Sequence, residues 1–76
     1  MTQEKVIAIL QEVKPTRDLS GIEDIIEGGY LDSFELMSLI SLLGEGFGIE
    51  IGFDEIVPEN FNSVAAMVAR VDRLKG

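Results

Sequence analysis

The chain has 76 residues, 46% of them hydrophobic, and contains neither cysteine nor histidine. That length suits one small domain over 1–76, which buries only about 60% of the surface its unfolded chain exposes. The missing residue types exclude disulfides, thiolate metal sites and the commonest general base. Fourteen acidic residues against six Lys and Arg give a net charge of −8. This is the wrong balance for neutralising the phosphates of DNA, RNA or an anionic membrane, and it favours a basic protein partner or simple solubility. No apolar run approaches the roughly 18 residues of a membrane span. MTQEKVIAIL has no basic start or small-residue cleavage site. The expectation is a soluble, cytoplasmic monomer.

In chain order, Val6, Ile7, Leu10 and Val13 recur at steps of three and four, which predicts an amphipathic helix over about 3–14, with Thr2 as N-cap and Pro15 as its stop. The stretch 15–32 is a long connection, too rich in aliphatics (Leu19, Ile22, Ile25, Ile26, Leu31) to be a solvated linker, so it should lie across the core with one helical turn near 22–27. A second helix begins at Asp32 or Ser33. Asp32 and Glu35 have capping-box spacing, Leu36, Leu39, Ile40, Leu43 and Phe47 form its stripe, and Gly48 is its C-terminal cap. Ile49 and Ile51 read as an extended link, followed by a short helical turn near 54–57 that Pro58 ends. The last helix carries Val64, Met67, Val68, Val71 and Leu74 at helical spacing, capped by Asn62 or Ser63. The fold class is therefore all-α: a small bundle of three main helices plus one short helix, with a long loop between the first two main helices. The expected shared core is Ile7, Leu10, Leu39, Ile40, Leu43, Val64, Val68 and Val71.

The chemistry-bearing residues are few. A serine nucleophile needs a base, and no histidine is present. Lys5, Lys14 and Lys75 read as solvated. Glu23 with Asp24, or Asp54 with Glu55, would need a cleft to act as acid and base. No segment has the ligand spacing of an EF-hand, so no metal is expected in the isolated chain and no residue is assigned as catalytic. What stands out is GGYLDSFELMSLI, residues 28–40, where a serine follows a carboxylate at the mouth of a helix. By spacing alone this is first a helix cap. It is also a place where an accessible hydroxyl could receive a phosphate group, because free N–H groups and the helix dipole favour an anion there, while the carboxylate could help hold a divalent cation beside a phosphate donor.

Gly29-Tyr30-Leu31-Asp32-Ser33-Phe34-Glu35-Leu36 resembles the attachment motif of the acyl carrier and peptidyl carrier family. The similarity extends over nearly the whole chain. Phe47-Gly48-Ile49-Glu50-Ile51 resembles the end of that family's second helix, and Pro58-Glu59-Asn60-Phe61-Asn62-Ser63-Val64 resembles the approach to its last helix. The resemblance implies that Ser33 carries 4′-phosphopantetheine through a phosphodiester, that the arm's thiol holds an acyl or aminoacyl group as a thioester, and that Asp32 helps hold magnesium during loading. It implies as partners a phosphopantetheinyl transferase and acyl- or aminoacyl-loading ligases or synthases of fatty-acid, polyketide or related biosynthesis. Phe34, Glu35, Met37, Ser41 and Glu45 correspond to a partner-docking face, Phe34 and Met37 being equally readable as part of the core. Helix two departs from fatty-acid carriers in having only Glu35 and Glu45 as acids. That departure counts against a partner set identical to that of fatty-acid synthesis, and Leu31-Asp32-Ser33-Phe34 with Pro58-Glu59-Asn60-Phe61 looks more like free-standing aminoacyl, D-alanyl or peptidyl carriers. A competing reading from another class is an acidic helical adaptor with no prosthetic group.

Overall fold

The structure, a computed structural model, describes residues 2–75. It contains α1 (Thr2–Val13), α2 (Ser33–Phe47), a single 3-10 turn (Phe53–Glu55), α3 (Pro58–Phe61) and α4 (Val64–Lys75). No strand occurs among the described residues. The expected bundle of three long helices and one short one is present. α1 packs against both α2 and α4, and α3 packs mainly on α4.

Each main helix buries one edge. These are Val6, Ile9 and Leu10 on α1, Leu39, Ile40 and Leu43 on α2, and Val64, Met67 and Val71 on α4. Every fully buried side chain among the described residues is apolar. Two expected core residues differ: Ile7 and Val68 are only half-buried against the cluster. On α1, the buried place goes to Ile9. Gly46 of α2 has no side chain, and a Cβ there would sit 3.3 Å from Ile9 Cδ1, so the glycine admits Ile9 between the helices. Val68 flanks the buried line of α4 and borders an open groove with Ser20 and Ala65. Phe47 and Val13 are likewise half-buried.

The long loop lies across the core as expected, with Leu19, Ile25 and Leu31 buried. Its turn falls at 25–29 and not at 22–27, and it does not continue into a helix. Near the loop's start, Asp18 Oδ1 accepts from the Ser20 hydroxyl at 2.7 Å and from the Ser20 N–H at 3.0 Å. Those bonds, the hydroxyl's first, hold the Asp18 carboxyl below its ordinary range.

Three boundaries are corrected. Thr2 lies inside α1 instead of capping it. The short turn before Pro58 is Phe53–Glu55, a residue earlier than expected and ending before Val57. Pro58 begins α3 instead of ending a helix: proline's fixed φ suits a first helical position, where its missing N–H is no loss. α3 brings in Phe61, the largest fully buried side chain, whose burial is worth about 1.5–3 kcal/mol. Of the two candidate caps of α4, Ser63 is the one that serves: its Oγ accepts from the Ala66 N–H at 3.1 Å.

Candidate functional site

Ser33 is the first residue of α2 and is exposed. The turn before it depends on two glycines. A Cβ on Gly28 would lie 2.6 Å from the Asp24 carbonyl oxygen and 2.8 Å from the Tyr30 ring, and Gly29 has φ +77, a conformation that side chains resist. The glycines thus have an internal reason to be there. Leu31 is then buried, and its neighbour Asp32 takes extended backbone and caps the helix.

The cap is reciprocal. Asp32 Oδ1 accepts from the Glu35 N–H at 2.8 Å, and Glu35 Oε1 accepts from the Asp32 N–H at 3.0 Å. The expected capping box therefore forms with Asp in the usual Ser or Thr place. The cap uses Oδ1, and Oδ2 of the exposed Asp32 takes no part in it. The N–H groups of Ser33 and Phe34 lie in the first turn, where the helix offers no acceptor. Lys14, at the end of α1, reaches the same corner and pairs with Glu35 Oε2 at 3.1 Å.

The other expected site residues fall into two groups. Phe34, Met37, Ser41 and Glu45, spaced by three, four and four, share one face of α2, and all four are exposed, Phe34 at 84% and Met37 at 52%. Neither Phe34 nor Met37 belongs to the core. Glu35 lies off that face, half-buried and committed to the cap and to Lys14. An open groove of about 440 Å³ runs from Glu12 and Val13 to Asp32, Phe34, Glu35, Ser38 and Leu42, so it adjoins the serine. No group of three or more potential metal ligands occurs among the described residues. Among the described residues, no helix is long and apolar enough to cross a membrane.

Two features were missed from sequence. Of the lysines read as solvated, Lys14 is half-buried and paired with Glu35, while Lys5 and Lys75 are exposed as expected yet make contacts, Lys5 with the Gly46 carbonyl and the Phe47 ring and Lys75 with the same ring. No local pattern joins Lys14 to a residue 21 positions away. Asn62 holds the loop of residues 25–27. The Asn-Ser pair had looked like two candidates for one cap, and the unused candidate was the available clue.

No protein-family model matches the chain. Over 51 residues it is 39% identical to a protein named "probable acyl carrier protein PigG" from Serratia sp. (strain ATCC 39006). The match covers 67% of this chain and 59% of that protein, so the chain spans less than two thirds of its relative's length. This similarity and the helical bundle together support, in general terms, a relationship to acyl carrier proteins.

Proposed function

We propose that the protein is a non-catalytic acyl carrier whose Ser33 bears 4′-phosphopantetheine and presents an acyl or aminoacyl thioester to partner enzymes. The observation that carries this is an exposed serine hydroxyl at the first position of α2, directly after a carboxylate that caps the helix with one oxygen and keeps the other free.

The residues present fit the group. A phosphodiester on Ser33 would need no burial of its charge, and it would stand at the positive end of the α2 dipole beside two first-turn N–H groups. Once attached, the arm supplies a terminal thiol, the one nucleophile that a chain without cysteine lacks. The protein's own residues have narrower tasks. Ser33 provides the hydroxyl, Asp32 fixes the helix mouth and offers Oδ2 to the magnesium of the loading reaction, and Phe34, Met37, Ser41 and Glu45 form the face that a transferase, ligase or synthase meets.

The test is intact-mass spectrometry after incubation with coenzyme A, magnesium and a broad-specificity phosphopantetheinyl transferase. One arm should be added to the wild-type chain, peptide mapping should place it on Ser33, and Ser33→Ala should take up none. A wild-type chain that remains unmodified would overturn this reading and leave the acidic adaptor as the alternative.

A further inference from the structure

The turn that leads to Ser33 is closed by a residue from the far side of the sequence. In residues 25–29 the Gly28 N–H donates to the Asp24 carbonyl at 2.6 Å, that of Gly29 to Ile26 at 3.1 Å, and that of Tyr30 to Ile25 at 3.1 Å. A single turn of this kind cannot supply acceptors for its own leading N–H groups. Asn62 takes three in succession. Its backbone carbonyl accepts from Ile25 at 2.9 Å, and its Oδ1 accepts from both Ile26 and Glu27 at 3.0 Å. Its Nδ2 then donates to Glu27 Oε1 at 2.8 Å. A side-chain amide suits both ends of this arrangement: an aspartate would keep the acceptor but set a second carboxylate against Glu27.

We infer that Asn62 is a positioning residue for chemistry at Ser33: by capping this turn from outside, it fixes the surface that a modifying enzyme meets beside the serine. The path from staple to serine is short. Tyr30 bonds back to Ile25, Leu31 is buried, and Asp32 caps α2, so a displaced turn pulls on the helix mouth. The inference rests on the carrier reading, because it concerns recognition during loading.

The experiment compares wild type, Asn62→Ala, Asn62→Asp, Glu27→Gln and the double variant Asn62→Asp/Glu27→Gln, at a temperature where circular dichroism shows every chain folded. Hydrogen exchange at the 25–27 amides reads the staple, and steady-state loading with the transferase and coenzyme A reads its consequence. Exchange at the Ile26 and Glu27 amides, which lose the Oδ1 acceptor, should accelerate about tenfold or more in Asn62→Ala, while the Ile25 amide keeps its bond to the backbone carbonyl. The KM for the carrier should rise about fivefold in Asn62→Ala and Asn62→Asp with kcat within about twofold, a loss of recognition and not of chemistry. In the double variant the introduced amide can donate to the introduced carboxylate, so KM should return to that of Glu27→Gln alone. A residue that merely stabilised the fold would leave KM unchanged in these folded chains. That outcome, or a KM that the double variant does not restore, overturns the inference while the carrier reading stands. A wild-type chain that takes up no arm overturns both, and the exchange data distinguish that case because they do not depend on loading.

Discussion

The carrier reading gives Asp32 a second task beside its cap, and substitution separates the two. Its Oδ1 accepts from the Glu35 N–H at 2.8 Å, while the return bond runs from its own backbone N–H to Glu35 and survives any side-chain change. Asp32→Ala removes the cap, worth about 1 kcal/mol, and also a negative charge at the helix N-terminus, worth about 0.3–1 kcal/mol at an exposed position. Asp32→Asn keeps an oxygen for the cap and loses only the charge, so it should cost about 0.3–1 kcal/mol. In a domain of this size each kcal/mol moves Tm by roughly 4–8 °C. Thermal melts should therefore rank wild type above Asp32→Asn and Asp32→Asn above Asp32→Ala. Loading by the transferase should rank differently. Both variants should be slow, because a neutral amide oxygen is a weaker magnesium ligand than a carboxylate and a methyl is none. An Asp32→Asn chain loaded as fast as wild type would refute the cation role. An Asp32→Ala chain with an unchanged Tm would refute the energetics assigned to the cap.

Ser33→Ala should abolish loading and leave stability within about 0.5 kcal/mol, since an exposed side chain with no buried partner rarely contributes more; urea unfolding and intact mass check the two halves. Leu39→Ala or Leu43→Ala, each at a fully buried position, should cost about 2–5 kcal/mol and lower the urea midpoint accordingly. Gly28→Ala should cost about 1–3 kcal/mol, because the new methyl meets the fixed Asp24 carbonyl; an unchanged melt would show that the turn can yield. Met37→Ala should weaken loading more than Glu45→Gln, and salt should have a modest effect, as expected when apolar anchors set dissociation and rim charges set encounter. A dominant loss with Glu45→Gln, together with wild-type loading that salt abolishes, would reverse that order.

What was legible in the sequence was what depends on neighbours along the chain. The periodicity of α2 and α4, the Asp32–Glu35 box and the left-handed Gly48 cap are all encoded within a few residues, and each lies where expected apart from Val68 on α4, which is only half-buried. What was hidden depends on residues far apart. Ile9 is buried in preference to Ile7 because Gly46, on another helix, leaves room for it. Pro58 reads as a stop from sequence because proline ends helices in one context and starts them in another, and only Phe61, packed into the core behind it, decides between them. Asn62 has no periodic signature, since a capping residue in trans is recognised only by the N–H groups it meets.

The same distinction bears on how Ser33 is held. α1 and α2 run antiparallel, and a lysine grips each end of α2: Lys14, just past α1, pairs with Glu35 in the first turn, and Lys5 of α1 donates to the Gly46 carbonyl near the last. Lys5 also lies 4.9 Å from the Phe47 ring centre, with Lys75 of α4 at 5.8 Å from the same ring. Partly exposed contacts of this kind add little stability, the Lys14–Glu35 ion pair commonly about 0–1 kcal/mol. Their effect here is on register. Sliding α2 along α1 by one helical turn, about 5.4 Å, would break both lysine contacts at once and move Gly46 away from Ile9, so the apolar interface and the polar ends agree on a single alignment. Ser33 is thus carried at the end of a helix that cannot slide without losing contacts at both termini. The turn before it is tied separately to Asn62. On the carrier reading, a loading enzyme would meet a serine whose position is set by two separate parts of the chain.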